Sequence, residues 1–278
     1  MNCALWLLVM APMAWPQGPV TVEDVGEYEG EAAWKITTPA ATYYYHQRSG
    51  GFASLVDRDG NDWISYHPGQ KERGEYRGIP NIAPPDFHPG RPQGKKQGRI
   101  VSQSGGHVSL LAETEDGQWA TRWDIFTEFA RMTLLRKGPE PYWILYEGTP
   151  GGSFEVTDYW VNSKGERFES APYVQKNMWH GDLPAPEWVY FGDARLERVL
   201  LLAREPYSDV MDEYWHFGDG GMTVFGFGRG PRQSGWQRLT DVPCQLTIAF
   251  VESRRHEDVV KAVRAFRGHS TGPGDAGN

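Results

Sequence analysis

Cysteine is almost missing from this chain, with Cys3 and Cys244 as the two examples in 278 residues. That excludes a disulfide framework. None is needed at this length, because such a chain buries about 70–75% of the surface its unfolded form exposes. Cys244 precedes Gln-Leu-Thr-Ile-Ala-Phe and reads as a small apolar side chain buried in a strand. Basic residues are outnumbered, 28 Lys and Arg against 36 Asp and Glu, for a formal charge of −8. A general nucleic-acid binder would need a basic stripe to neutralise phosphates. An anionic ligand held by a few local Arg residues stays open. Long apolar runs are lacking too: Ala4–Ala14 is apolar but falls short of the about 20 residues that cross a bilayer. It fits the apolar region of a secretory signal, although no Lys or Arg precedes it and the small residues around Ala11 and Ala14 match a cleavage site imperfectly. Residues 1–17 are therefore expected to be a signal peptide, with no membrane span, and the protein to be secreted or periplasmic.

Familiar catalytic signatures are also missing. There is no Walker loop, His-Glu-x-x-His, zinc-spaced Cys pair, Gly-x-Ser-x-Gly elbow or dinucleotide fingerprint. Gly226-Phe-Gly-Arg-Gly230 is glycine-rich, but no helix pattern follows it, which argues against a phosphate loop. No cofactor is expected. Asp57, Asp59, Asn61 and Asp62 crowd one turn and raise the question of calcium. Their spacing matches no EF-hand loop, so a solvated Asx turn is the better reading.

Aromatics and turn formers are abundant: 12 Trp, 13 Tyr, 12 Phe, 33 Gly and 20 Pro. Short β-branched or aromatic runs recur between turn signals, which predicts strands and hairpins. Phe52–Asp57 and Asp62–Tyr66 flank Arg-Asp-Gly-Asn, a hairpin signal. A second hairpin is expected from His107–Glu113 into Gln118–Phe126, and another turn at 162–165 after Phe154–Val161. Further strands are expected at Trp34–Thr38, Thr42–Gln47, Phe129–Arg136, Tyr142–Glu147, Trp188–Phe191, Arg198–Ala203, Met222–Phe227 and Gln245–Val251. Within Tyr142–Glu147 one face carries Tyr142, Ile144 and Tyr146 and the other Trp143, Leu145 and Glu147. Neither face is plainly solvated, which suits a strand covered on both sides or lining a cleft. One helix is expected over His256–Phe266, with Val259, Val260, Val263 and Phe266 on one stripe and acids in the first turn. The domain reading is one large β-sandwich over residues 18–267 and a polar tail over 268–278.

Three segments break the periodicity: Gly69–Gly98, Ala171–Glu187 and Asp209–Gly221. Long irregular insertions in a compact domain tend to be functional. His, Tyr, Trp, Arg and carboxylates concentrate there, a set that suits sugars, whose C–H faces stack on aromatic rings and whose hydroxyls need polar partners. Arg77 and Asn81 could hold a uronate carboxylate, the guanidinium as a bidentate fork; alternatively Arg77 pairs with Glu72 or Glu75. His180 or His88 is the candidate base, with Asp182 placed to orient His180. Tyr146 is the candidate proton donor, and Glu147 a hydroxyl acceptor or acid/base. Arg122, Trp179, Trp215 and His216 complete the candidate substrate-binding set.

The hairpin Gly50–Trp63, the adjacent long strands of Trp123–Glu147 and the closing strands Thr223–Phe227 and Leu246–Val251 resemble the supersandwich of galactose-mutarotase-like proteins and related polysaccharide lyases. The resemblance implies an all-β fold, a large antiparallel β-sandwich closed here by one C-terminal helix. No catalytic residue carries over from it, and the Gly69–Gly98 insertion and the C-terminal helix depart from it. The expected function is a secreted lyase that cleaves a uronate-containing poly- or oligosaccharide by β-elimination. The alternatives are a glycoside hydrolase using Glu147 with Asp182 or Glu213, or a non-catalytic glycan-binding or sugar-epimerase-like module.

Overall fold

A computed structural model describes residues 18–84, 86–92, 96–231 and 238–269. The expected signal peptide, and the tail beyond His269, lie outside the described residues. The described chain forms strands β1 (Thr21–Tyr28), β2 (Glu31–Thr37), β3 (Thr42–His46), β4 (Gly51–Val56), β5 (Gly78–Ala83), β6 (Lys96–Ser104), β7 (His107–Thr114), β8 (Ala120–Phe126) and β9 (Ala130–Arg136). There follow β10 (Trp143–Gly148), β11 (Tyr159–Asn162), β12 (Arg167–Glu169), β13 (Trp179–Gly181), β14 (Trp188–Gly192), β15 (Val199–Glu205), β16 (Asp212–His216), β17 (Thr223–Phe227), β18 (Cys244–Val251) and helix α1 (His256–Arg267). They assemble into two nine-stranded sheets. The first has the order β1-β2-β3-β4-β5-β10-β17-β16-β13 and the second β12-β11-β14-β15-β18-β9-β8-β7-β6. The named pairings are antiparallel, as expected.

Alternation decides which residues meet between the sheets. Tyr45 and Phe52 of the first sheet face Trp123 of the second, with Phe52 and Trp123 ring centroids 4.5 Å apart. Tyr146 meets Phe191 at 5.2 Å, and Trp160 meets Tyr214 at 5.4 Å. Each such ring removes roughly 150–250 Å² from water, so these contacts dominate the core energetics. Trp63, Trp119, Trp123 and Trp160 are core residues, and the aromatic surplus in the sequence is largely structural.

The outer face of the second sheet is covered by α1. Val259, Ala262, Val263 and Phe266 pack on Tyr190, Leu201 and Ala249, as the apolar stripe requires. Arg131 secures the end of the helix: its guanidinium donates to the carbonyls of Phe266 (2.6 Å) and His269 (2.7 Å), groups a helix C-terminus leaves unsatisfied.

The first hairpin returns alongside β4 without forming a strand. The Asp62 carboxylate takes over part of the ladder, accepting from Leu55 N–H (3.0 Å), Ile64 N–H (3.0 Å) and Ser54 Oγ (2.5 Å). The crowded acidic turn is satisfied internally. Asp57 accepts from Asn61 and Trp63 Nε1, and Arg198 pairs with Asp57 (2.7 Å) and Asp59 (3.0 Å).

All three segments that lack periodicity contribute strands to the first sheet. Gly69–Gly98 contains β5 and the start of β6, Ala171–Glu187 contains β13, and Asp209–Gly221 contains β16. The outer face of that sheet therefore carries some of the side chains that the sequence places in loops, among them Asn81, His180 and Glu213.

Candidate functional site

Two core tyrosines and the registers fix that outer face. Tyr146 and Tyr214 point into the core, so Glu147 on β10 and Glu213 on β16 point the other way. The register places Asn81, Leu145, Gly226, Glu213 and His180 in one row across β5, β10, β17, β16 and β13. Glu147 stands one row further along, opposite Val224, which in turn pairs with Trp215. Glu147 and Glu213 are thus two strands and two residues apart, roughly 12 Å between Cα atoms from sheet spacing alone.

Glu147 is buried beside a pocket of about 190 Å³ lined by Tyr76, Asn81, Asp86, His88, Arg91 and Glu147 itself. Asn81 Nδ2 donates to Glu147 Oε2 at 2.7 Å. His88 Nε2 lies 3.6 Å from the same oxygen and 2.8 Å from the carbonyl of Tyr76. A carbonyl only accepts, so that nitrogen carries the proton. Burial holds His88 down at about 4, so the ring is neutral in ordinary buffers. Burial acts the opposite way on the acid. It pushes Glu147 up to about 7, against the opposing pull of Asn81, Arg229 and Arg91. Glu147 is therefore a carboxyl that can hold or release a proton near neutrality, which suits general acid–base work.

The second half of the face centres on Glu213. Trp215 Nε1 donates to its Oε1 at 2.8 Å, Arg229 Nε lies 3.4 Å from that oxygen, and His180 Nδ1 lies 3.7 Å from Oε2. Arg229 is set back across β17 by the glycines of the Gly226-Phe-Gly-Arg-Gly230 run. A Cβ on Gly226 would sit 2.6 Å from Leu145 Cδ2 and 2.9 Å from Arg229 Cβ, and Gly228 has φ of +67°. Trp143 forms an aromatic wall under two guanidiniums, with Arg238 Cζ 3.6 Å and Arg229 Cζ 5.6 Å from its ring centroid. Sequence reading passed over Arg229 and kept Glu213 only as a partner for Glu147. The glycine run was the available signal, though it serves to seat an arginine and not to bind phosphate.

Of the predicted site residues, Asn81, His88 and Glu147 converge on the pocket, and His180 and Trp215 stand on the same face around Glu213. The others lie elsewhere. Arg77 is buried and donates to the carbonyls of Ser65 (3.2 Å), Gly220 (3.2 Å) and Gly221 (2.8 Å), a brace between two loops and not a clamp for a carboxylate. Tyr146 is fully buried, and its hydroxyl donates to Trp63 O at 2.7 Å. Arg122 is on the second sheet, paired with Asp124 at 2.8 Å. Trp179 packs on Trp160, and His216 stacks on Phe154. Asp182 accepts from Tyr207 Oη (2.9 Å), a bond that does not involve His180. Larger hollows exist, of about 830 Å³ beside Gln47 and Gln97 and about 620 Å³ beside Gly151 and Asp193. Neither is lined by a histidine, so size does not locate the chemistry.

No family model and no curated protein matches this chain. Solved structures do. A putative aldose 1-epimerase from Escherichia coli K12 is similar at a TM-score of 0.50 and 9% identity, over 80% of this chain and 100% of its own. A galactose mutarotase related enzyme from Lactobacillus acidophilus is similar at 0.52 and 8%, over 81% of this chain and 99% of its own. At such identities the likeness is one of fold. Two large antiparallel sheets and these neighbours show that the chain has a β-sandwich fold like that of the galactose mutarotase related proteins, with one C-terminal helix.

Proposed function

We propose that this protein is a carbohydrate-active enzyme of the sugar-epimerase kind, which moves a proton to and from a bound sugar through Glu147. The observation that carries the reading is a buried carboxyl, Glu147, that accepts from Asn81 and lines a small pocket with His88 and Arg91, where burial pushes it up to about 7. Ring opening at an aldose anomeric centre needs a base for the C1 hydroxyl and an acid for the ring oxygen. Reclosure from the other face needs the same two groups in reverse roles. Glu147 is suited to one role because both of its states are populated near neutral pH. The His180–Glu213 pair, on the same outer face, is suited to the other. The neighbours described as an aldose epimerase and a mutarotase related enzyme support the substrate class by analogy of fold. The lyase expected from sequence loses two of its parts, because Arg77 is held by carbonyls and Tyr146 by the core.

The test is anomer exchange by magnetisation-transfer NMR on a panel of free aldoses. The expected result is exchange faster than in buffer for at least one of them. Buffer-rate exchange throughout the panel, or ultraviolet-absorbing unsaturated products from polyuronides, contradicts the reading. We also propose export, on the strength of the Ala4–Ala14 run. N-terminal sequencing of protein from its native cell should start near residue 18; a chain that keeps Met1 contradicts it.

A further inference from the structure

We infer that residues 87–91, a strap that brings His88 and Arg91 to the pocket beside Glu147, form an acid-released latch whose catch is the one lone pair of His46 Nδ1. The inference concerns regulation of that pocket. It rests on the proposed function only for its consequence, because the latch itself can be read without any sugar.

The strap is seated on the first sheet by close approach. A Cβ on Gly78 would lie 2.5 Å from Pro89 Cδ, and one on Gly51 2.9 Å from the same atom. Gly90, at φ of +70°, stands so near Tyr66 Oη that a Cβ there would lie 1.8 Å from it. Phe87 is held at the start of the strap by backbone bonds of 3.1 and 3.2 Å exchanged with Ile82. Further along, Gly90 N–H donates to His46 Nδ1 at 3.2 Å, which ties the strap to β3.

His46 is fully buried, and its Nε2 lies 2.8 Å from the carbonyl of Tyr28. A carbonyl only accepts, so Nε2 carries the ring proton and Nδ1 has a single lone pair to offer. Two groups can claim it. One is Gly90 N–H. The other is the buried Glu31 carboxyl on β2, whose Oε2 lies 3.6 Å from Nδ1. Glu31 Oε1 accepts from Arg48 N–H at 2.7 Å, and Oε2 accepts from Ser49 Oγ, so the carboxyl is fixed beside the ring. With no further proton on either residue, the lone pair goes to Gly90. A proton placed between them fills that lone pair whichever residue holds it, as Nδ1–H···Oε2 or as Oε2–H···Nδ1, and Gly90 loses its acceptor.

The surroundings set the direction. Burial holds His46 down at about 4, against the opposing pull of the Tyr28 carbonyl and of Glu29 in the β1–β2 turn. The remaining titratable neighbours are Tyr28 on β1, its ring 6.4 Å away, and Tyr66, its ring 5.4 Å away. Within the strap, His88 lies beyond Tyr66, their rings 6.5 Å apart, and Arg91 acts on Tyr66. A state that frees the His46 ring takes up protons that the latched state refuses, so the latch weakens as pH falls from the ordinary 6.5 toward 4. Burial raises Glu31, which would oppose this trend only if release exposed that carboxyl. Arg48 and Ser49, which hold it, belong to the β3–β4 turn and not to the strap.

The experiment is amide hydrogen exchange by NMR on the full chain, with the Gly90 protection factor followed from pH 6.5 to 4.5. In the parent that factor should fall about tenfold or more, while amides of β18 keep theirs. His46→Asn puts an amide oxygen where Nδ1 stands, which accepts from Gly90 without titrating, so protection should stay level across the range. Glu31→Gln can present an N–H where Oε2 stands, which fills the lone pair at every pH, so Gly90 should already be about tenfold less protected at pH 6.5. Protection at Gly90 that ignores pH in the parent overturns the inference. So does parental behaviour in both variants, or a loss that β18 shares, which is global unfolding. The consequence is read by anomer exchange on the aldose panel, which should slow in Glu31→Gln. A released strap with parental anomer exchange overturns the regulatory role. A parent that accelerates no aldose contradicts the proposed function instead, and the Gly90 result then decides the latch alone.

Discussion

Glu147→Gln is expected to lower the turnover of anomer exchange by about 10²–10⁴-fold, the range for removing one general acid–base group. The amide keeps the size of the side chain and can still accept from Asn81, so sugar binding should be retained and the loss should fall on kcat. The same substitution should stabilise the fold at alkaline pH. Burial is the main cause of the raised Glu147 titration, from an ordinary 4.5 to about 7. The native state therefore binds more protons than the unfolded state between those values, and stability falls as pH rises through that window. Gln carries no charge and removes this slope. Denaturant unfolding should find parent and variant similar at pH 4.5, with the variant ahead at pH 8 by up to about 3 kcal/mol. Loss of activity with gain of alkaline stability separates a working carboxyl from a structural one. A variant with parental kcat, or with a stability difference that ignores pH, contradicts the assignment.

The second large effect concerns the support beneath the site. Arg204 is fully buried and donates to Glu187 (2.7 Å), to Pro206 O (2.7 Å) and to Asp241 (2.7 Å). Burial pushes Glu187 up to about 7, and Arg204 opposes that rise. Nearby, Asp212 accepts from Gly228 N–H (2.9 Å) and Leu183 N–H (3.2 Å), which ties the turn before Arg229 to β16. Arg204→Met should cost about 3–5 kcal/mol, because it leaves a buried carboxylate without its counter-charge. Adding Glu187→Gln should restore much of that loss, since an uncharged pair no longer needs solvation. Chemical denaturation of the two variants decides the matter. A loss under about 1 kcal/mol in the single variant, or a double variant worse than the single, contradicts the coupling.

The fold was legible where the pattern was undisturbed. Val259, Val263 and Phe266 announce α1, and alternation in Gln118–Phe126 places Trp119, Trp123 and Ile125 in the core, where they are buried. It was obscured where chemistry replaces regular patterning. In β5, Gly78 and Pro80 read as loop, yet the strand pairs with both β4 and β10. In β16 every residue is buried, so Asp212 and Glu213 break the alternation that would announce a strand. Such local disagreements concentrate at functional places. The Tyr142–Glu147 alternation did hold the decisive fact, because it puts Tyr146 and Glu147 on opposite faces, and one groove could not use both. Arg77 shows the limit: spacing does not reveal whether a guanidinium meets a ligand or a backbone carbonyl, and here 143 residues separate it from the nearer of its two partners in the β16–β17 turn.

The most direct measurement is a ¹³C NMR titration of the glutamate side-chain carboxyl carbons, with Glu147 assigned by the signal missing from Glu147→Gln. A midpoint of about 7 that shifts when a free aldose is added is the predicted result. A midpoint near the ordinary 4.5, indifferent to sugar, would show that this carboxyl is solvated and has no part in proton transfer.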